Sequence, residues 1–246
     1  MKLDDVKKLH QKKYRSQFGF YLVEGEHLVQ ELQRSKLMAQ PVTVYVTEAW
    51  LERGVSLDER FEVITVSDRQ MAALSDTKTP QGVIARVPVA AIHDNNAATQ
   101  DERCIYLHEI QDPGNLGTIL RTLAWFGRFR LLLSPNSVDP FNSKAVRASM
   151  GAIFHVPVAT DVTLEQLQAK FDRFAYLDLS GNEINHSSFA DFPCYLFGNE
   201  ARGVPADALQ SASAEAFTIS GSGSIESLNL ASAVGICVYQ LAQSHR

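Results

Sequence analysis

The sequence is poor in several features that mark particular classes of protein. Its 246 residues include only three cysteines, Cys104, Cys194 and Cys237, which lie far apart in the chain. An odd number of scattered cysteines favours reduced thiols over a disulfide framework or a zinc site. No apolar run approaches the roughly 18 residues of a membrane span, and residues 1–20 lack the apolar core of a signal peptide. We therefore expect a cytoplasmic protein without a membrane segment.

Several motifs of catalysis and ligand binding are also missing. The sequence contains no P-loop, no H-E-x-x-H and no G-x-S-x-G pattern, and its histidines share no metal-ligand spacing. We therefore expect no metal. Gly221-x-Gly223 begins a dinucleotide-binding fingerprint, but Glu226 stands where that fingerprint requires its third glycine. A nicotinamide-dependent oxidoreductase is therefore a weak alternative.

Positive charge is scarce overall but concentrated at the N-terminus. The chain has 23 Lys and Arg against 28 Asp and Glu, and this balance argues against a nucleic-acid binder, which is usually basic. Residues 1–20, however, carry six basic residues against two aspartates. Charge alone favours a solvated helix face, and the alternative is that residues such as Lys8, Lys12 and Arg15 contact phosphates.

The alternation of strand and helix patterns predicts an α/β protein in two parts. A polar helix is predicted over residues 4–14, and a longer helix over 227–243. Residues 88–101 contain Ala-Ala and Asn-Asn pairs without an apolar period, which is typical of a linker. We expect an N-terminal domain over residues 1–87, a linker over 88–101 and a second domain over 102–246.

Three glycine-containing junctions of strand and helix carry the polar residues of the second domain. Their sequences are DPGNLGTILR (112–121), FGNEARG (197–203) and ISGSGSIESLN (219–229), with the first helix predicted from about Leu116. Glycine lets the backbone approach a ligand, and the start of a helix offers free N–H groups. From spacing alone, Arg121 fits a ligand contact or a surface arginine about equally well. The second junction likewise fits a ligand site or a plain loop.

Taken in order, these junctions resemble the three motifs of the SpoU/TrmH-type RNA 2′-O-ribose methyltransferases of the SPOUT superfamily. The matching residues are Asn115, Gly117 and Arg121 in the first motif, Gly198, Asn199, Glu200 and Gly203 in the second, and Ile219, Ser227, Leu228 and Asn229 in the third. Residues 144–157 resemble the family's linking segment. Residues 20–25 and 79–85 resemble its ribosomal-protein-like RNA substrate-binding domain. The third motif usually begins Ile-Pro, whereas Ser220 follows Ile219 here.

The resemblance implies a fold, a cofactor and partners. The C-terminal SPOUT domain would be a parallel sheet flanked by helices with a deep trefoil knot, beside a small N-terminal α/β substrate-binding domain. S-adenosylmethionine would lie against Gly198, Ile219 and Leu228, and two copies would pair through the knotted domain and the last helix. The substrate would be a ribose 2′-hydroxyl of RNA, and the N-terminal domain favours ribosomal RNA. A tRNA methyltransferase and an inactive RNA-binding module are the alternatives.

The resemblance also assigns roles to residues in the reaction. The first-motif arginine, Arg121, acts on the hydroxyl in the family. Because an arginine guanidinium keeps its proton in proteins, we expect Arg121 to stabilise the developing alkoxide instead of acting as a simple base. Asn115, Glu200, Ser227 and Asn229 are predicted to orient Arg121 and the ribose, and Glu200 offers a relay for the proton.

Overall fold

The computed structural model describes residues 1–35, 41–89, 102–205, 209 and 213–243. Most of the predicted linker, residues 90–101, lies outside the described residues. The helices before it are α1 (Leu3–Lys8), α2 (Lys12–Phe18), α3 (Glu26–Arg34), α4 (Glu48–Leu51) and α5 (Asp68–Leu74). The strands before it are β1 (Phe20–Glu24), β2 (Val42–Val46), β3 (Phe61–Thr65) and β4 (Val83–Pro88).

The residues after the predicted linker again alternate strands with helices. The helices are α6 (Pro113–Phe126), α7 (Ser143–Ala148), α8 (Leu164–Lys170) and α9 (Leu230–Gln243), with 3-10 turns at Ala152–Phe154 and Ser187–Asp191. The strands are β5 (Arg103–Leu107), β6 (Phe129–Leu133), β7 (Val158–Ala159), β8 (Phe174–Glu183), β9 (Cys194–Phe197) and β10 (Ala214–Thr218).

The chain forms two compact units, and each unit consists of two separate segments of the sequence. Unit 1 is Met1–Asn96 with Asp139–His155, and unit 2 is Ala97–Val138 with Val156–Arg246. The segment 139–155 therefore packs with the N-terminal residues, although it lies within the predicted second domain. Neither its composition nor its resemblance to the family's linking segment indicates this packing.

Unit 1 is built on a mixed sheet with the strand order β1-β4-β2-β3. Every residue of β2 is buried, as its run of β-branched and aromatic side chains predicts. The polar helix predicted over residues 4–14 is two helices, because Leu9 ends α1 in the core and Gln11 has an extended backbone. With few apolar residues in this stretch, the sequence pattern does not reveal that break.

Unit 2 is built on a parallel sheet with the strand order β10-β8-β9-β5-β6-β7. Nearly all residues of β5, β6 and β9 are buried, which is typical of parallel strands covered on both faces. The predicted α/β class with a parallel sheet flanked by helices is confirmed. β10 pairs with β8 at residues 174–176 and again at 182–183, so residues 177–181 lie outside this pairing.

Cys104 and Cys194 face each other on β5 and β9 as buried free thiols. Burial raises the pKa of both thiols, so both remain protonated and poorly reactive near neutral pH. Cys237 is also a buried free thiol.

Among the described helices, none combines the length and the hydropathy that a membrane span requires.

Candidate active site

The first junction is organised by the start of α6. The helix begins at Pro113, earlier than the predicted Leu116, because Asp112 caps it by accepting the backbone N–H of Asn115 at 2.7 Å. Asn115 therefore lies in the first turn, half-buried. Arg121 follows six residues later, about 9 Å further along the helix axis, and its side chain is exposed.

The second junction is a closed turn held by Asn199. Its backbone pairs with that of Gly203 in both directions, at 3.0 and 2.9 Å. Its side-chain oxygen accepts the N–H groups of Ala201 and Arg202, and its amide donates to the carbonyl of Glu109 at 2.8 Å. Only 7% of Asn199 is exposed. This buried asparagine fixes the turn that presents the exposed Glu200.

Gly198 lies at the base of the same turn. A Cβ atom added there would lie 2.2 Å from the carbonyl carbon of Gly203 and 2.4 Å from the nitrogen of Val204. The fold of this turn therefore requires glycine at position 198, whether or not a ligand also requires it. The predicted cofactor contact of Gly198 would be made by main-chain atoms of a turn that only glycine can close.

The third junction differs from the prediction in where its helix begins. α9 starts at Leu230 instead of residue 227, so Ser227 and Leu228 lie in an exposed loop. Asn229 caps the helix, because its side-chain oxygen accepts the N–H groups of Ala231 and Ser232 at 2.9 and 3.3 Å. The cap leaves its amide group free to donate elsewhere.

A short polar network joins the three junctions. Asn229 Nδ2 donates to Asn115 Oδ1 at 3.0 Å, and Asn115 Nδ2 donates to Glu200 Oε1 at 3.4 Å. We call Asn115, Glu200 and Asn229 the junction network. Among the described residues, neither Arg121 nor Ser227 makes a side-chain hydrogen bond to it. The structure thus brings together three of the five predicted catalytic residues.

Glu109 supports the site, although no pattern in the sequence singles it out. Its carboxylate forms an ion pair with Arg202 of the second junction, and its N–H donates to Ser134 Oγ at 2.7 Å. A single carboxylate after a strand does not by itself indicate a site, because the contact depends on Arg202, 93 residues away.

Within the described residues, no group of three or more His, Cys, Asp or Glu side chains is placed to hold a metal ion.

Exposed apolar side chains lie within the third junction and on the neighbouring strand β8. Leu228 is 44% exposed, Ile225 72% and Leu179 80%, whereas large apolar side chains usually favour burial. The carbonyl of Leu179 accepts a hydrogen bond from Thr218 at 3.4 Å, just before Ile219. Leu179 lies in β8, outside all three motifs, so the motif spacing does not indicate this exposed side chain.

Ser220 stands where the resembled motif usually has proline. Its hydroxyl donates to Glu183 Oε1 at 2.7 Å, at the end of β8. Next to it, the N–H of Ile184 donates to the carbonyl of Thr218 at 3.1 Å. These two bonds fix the exit of β10, so the departure from proline leaves the start of the loop attached to the sheet.

The predicted RNA contacts of the N-terminal helices have different environments in unit 1. Arg15 is only 5% exposed, and its guanidinium donates twice to Asp139 Oδ2, at 2.8 and 2.5 Å. The same group also donates to the carbonyls of Leu9 and His10. The prediction that Arg15 contacts a phosphate is therefore wrong, because all of these donors serve the fold.

Lys8 and Lys12 remain exposed, in contrast to Arg15. Lys8 forms an ion pair with Asp5 at 2.8 Å across one turn of α1, and its side chain is 44% exposed. Such surface pairs contribute little and break easily. Both lysines therefore stay available for phosphate contacts, and their role stays a prediction.

Known protein families match both parts of this chain. The model of the SpoU rRNA methylase family matches residues 102–239, more than half of the chain. This chain belongs to the SpoU rRNA methylase family. Residues 2–85 match the model of the MRM3-like substrate binding domain, in agreement with the predicted N-terminal resemblance.

Relatives match this SpoU family member over nearly its whole length. The 23S rRNA (guanosine(2553)-2′-O)-methyltransferase RlmP of Bacillus subtilis is 31% identical over 98% of this chain and 95% of its own. An RNA methyltransferase of the TrmH family from Porphyromonas gingivalis has a TM-score of 0.81, with 28% identity over 98% of this chain and 97% of its own. An AdoMet-bound rRNA methyltransferase from Sinorhizobium meliloti has a TM-score of 0.79, with 26% identity over 99% of this chain and 94% of its own.

Proposed function

We propose that this protein transfers a methyl group from S-adenosylmethionine to a ribose 2′-hydroxyl of ribosomal RNA. The observation that carries the proposal is the junction network, which joins the three motif segments through side-chain hydrogen bonds. The proposal is supported by the B. subtilis relative, which is named a 23S rRNA 2′-O-methyltransferase, and by the S. meliloti relative, which was solved with AdoMet.

The residues around the third junction fit S-adenosylmethionine. The turn at Gly198 leaves no room for a side chain, so main-chain atoms are what it offers to a ligand. Leu228 presents exposed apolar surface, and Ile219, at the start of the third junction, is half-buried. Backbone groups can bind the adenine edge, and these side chains can cover its ring. When bound, the cofactor supplies a methyl group already activated by the sulfonium charge.

The protein's own residues must position the ribose and accept the proton of its 2′-hydroxyl. Arg121 keeps its positive charge and would stabilise the oxyanion that develops on the attacking oxygen. Asn115 would hold Glu200 towards the same hydroxyl, and the Glu200 carboxylate would accept or relay its proton. Ser227 and Asn229 would position the ribose, since both lie next to Leu228. Holding the reactants in line contributes several kcal/mol, typically about 7–11 in favourable cases.

A transfer assay tests this function and its alternatives. The purified protein is incubated with S-adenosylmethionine labelled on its methyl group and with ribosomal RNA or transfer RNA from cells that lack the gene. We expect label in ribosomal RNA. Label only in transfer RNA would identify the alternative substrate. Cofactor binding without transfer to either RNA would favour an inactive module, and binding of NAD in its place would favour the oxidoreductase.

We further propose that two copies pair through α6 and α9, which pack together within unit 2. These helices expose Trp125 to 84%, Ile236 to 40% and Tyr239 to 54%, and Phe126 contacts Tyr239 edge to face at 6.1 Å. A set of exposed large apolar side chains is typical of an interface. Light scattering should give the mass of a dimer, and Trp125→Glu should give a monomer. A monomeric wild type would contradict this pairing.

A further inference from the structure

Unit 1 carries a set of partly exposed aromatic rings with cations close to them. We call it the aromatic–cation surface, and its members are Tyr14, Phe18, Phe20, Lys8, Lys13 and Arg86. The rings of Tyr14 and Phe18 stack with centroids 6.0 Å apart and planes 18° apart. The Nζ atoms of Lys8 and Lys13 lie 5.7 and 5.8 Å from the Tyr14 centroid. The guanidinium carbon of Arg86 lies 4.6 Å from the Phe20 centroid.

Phe18 and Phe20 are held in place by the core of unit 1, and Tyr14 stacks on Phe18. Phe18 ends α2 and Phe20 begins β1, and both pack against the core cluster that contains Leu9 and Leu22. Gly19 links them in the left-handed conformation, with φ of +72°. All three rings of the surface are half-buried. Phe18 and Phe20 are therefore fixed by the core, Tyr14 stacks on Phe18, and each ring keeps part of its surface open to solvent. The loss of side-chain entropy on binding is small, because an aromatic side chain has few rotatable bonds.

The cations of this surface are only partly neutralised. Lys13 is exposed and, within the described residues, has no carboxylate partner. Arg86 donates to Thr43 Oγ1 at 2.7 Å, and its buried Nε has no hydrogen-bond partner among those residues. Lys8 is paired with Asp5 at the surface. The surface thus presents positive charge on a protein of net charge −5.

We propose that unstacked nucleotides of the RNA substrate bind here, with a base on the open part of the Tyr14 ring and phosphates near Lys13. The inference rests on the proposed function, which supplies RNA as the substrate. Aromatic rings flanked by cations suit single-stranded RNA, because bases stack on such rings and phosphates pair with the cations. A duplex buries its base faces and cannot use the rings in this way.

The first test compares single-stranded with paired RNA. The probe is a fluorescein-labelled oligoadenylate of about 12 nucleotides, within the usual size range of such sites, free or annealed to oligouridylate. Fluorescence anisotropy should show tighter binding of the free strand. Tyr14→Ala should weaken this binding by about tenfold or more, since base stacking on one ring is typically worth that much. Tyr14→Phe keeps the ring and should bind within about twofold of the wild type.

The second test addresses the charge and has a matched control. Lys13→Gln should reduce the slope of log affinity against log salt by about 0.7, the value for one phosphate contact on a single strand. Lys170 lies over the ring of Phe171 at 5.6 Å in unit 2, so it forms the same kind of pair elsewhere. Lys170→Gln should leave both affinity and slope unchanged. Circular dichroism verifies the fold of each variant, and Lys13→Gln decides the question if Tyr14→Ala fails to fold.

Three outcomes would overturn the proposal. They are equal binding of free and paired strands, wild-type affinity in folded Tyr14→Ala, and an unchanged salt slope in Lys13→Gln. Methyl transfer by the wild-type protein is measured in parallel with ribosomal RNA. If the wild-type protein transfers the methyl group but Tyr14→Ala binds the single strand as tightly as the wild type, the proposed surface is rejected. The proposed function is then still supported. Absence of transfer rejects the function, while the anisotropy data still decide the surface.

Discussion

Two polar clusters of this molecule, the Arg15–Asp139 pair and the junction network, differ in burial and in how fully their hydrogen-bonding groups are satisfied. In unit 1, the Arg15–Asp139 pair is almost fully enclosed, with side chains 6% and 12% exposed. Asp139 Oδ1 also accepts the N–H of Phe141 at 2.8 Å, so both carboxylate oxygens have partners. In unit 2, Asn115 is half-buried, and Glu200 lies exposed, where it accepts a hydrogen bond of 3.4 Å from Asn115.

The difference shows that burial separates charged side chains that stabilise the fold from polar side chains that can bind a ligand. A buried ion must have a full set of partners, because its lost hydration is otherwise not replaced. Such a saturated group has no capacity left for a ligand. The junction network keeps open acceptor positions on Glu200 and faces solvent, so it can bind a substrate. Formal charge and position in the sequence do not distinguish the two cases.

Breaking the buried pair should give the largest effect on stability. Asp139→Ala leaves Arg15 as an uncompensated buried charge, and we expect a loss of about 3–5 kcal/mol in the free energy of unfolding. Denaturant titration measures it. Asp5→Ala is the control, because it removes a surface partner of Lys8 and should hardly move the midpoint. A similar small shift in both variants would contradict the contrast between the clusters.

Removing Arg121 should give the largest effect on the reaction. Arg121→Ala is expected to slow methyl transfer by about 10²–10³-fold, the usual result of removing one group that stabilises an oxyanion. Because Arg121 is exposed, the fold should stay intact, and calorimetric binding of S-adenosylmethionine should stay near the wild-type value. Arg121→Lys should restore little, since lysine lacks the planar fork. Wild-type turnover in Arg121→Ala would refute the assigned role.

A methyl group at Gly198 should act on the cofactor site. Its Cβ would overlap the backbone at Gly203, so the turn must shift, at a strain of about 1–3 kcal/mol. We expect Gly198→Ala to weaken cofactor binding by roughly tenfold, in line with that strain. Gly235→Ala is the control, because open space surrounds that position and it lies outside all three junctions. Equal affinities in the two variants would remove the Gly198 turn from the site.

The exposed lysines of the N-terminal helices should give the smallest effect. Lys8→Gln with Lys12→Gln is expected to reduce the salt slope of RNA binding by roughly 0.7–0.9 for each phosphate that these lysines neutralise in the wild type. Cofactor binding should not change in this double variant. An unaltered slope would mean that these lysines form only a solvated face.

Much of the site could be predicted because its chemistry is local in sequence. Asn115, Glu200 and Asn229 each belong to a motif of a few residues, and their order along the chain was enough to relate them. The α/β class was equally accessible, since strand and helix patterns alternate along the chain. These features depend on residue types within one element. The parallel sheet, in contrast, was implied only by the family resemblance.

The remaining features depend on partners distant in the chain. Arg15 belongs to a run of lysines and was therefore expected at the surface, but its partner Asp139 is 124 residues away. Glu109 and Asn199 support the second junction through a contact over 90 residues. The late start of α9 follows from the cap at Asn229, which an apolar pattern beginning near residue 227 does not resolve. The knot stays a prediction from the family resemblance.

The most direct measurement of the central claim is a double-mutant cycle within the junction network. Asn115→Ala and Asn229→Ser each break the bond between the two residues, and serine keeps a capping oxygen for α9. We predict that each variant slows methyl transfer by about tenfold or more, that the double variant is little worse than the slower single one, and that unfolding free energies change by less than about 1 kcal/mol. Wild-type transfer rates, or losses that multiply in the double variant, would contradict a single site formed by the three junctions.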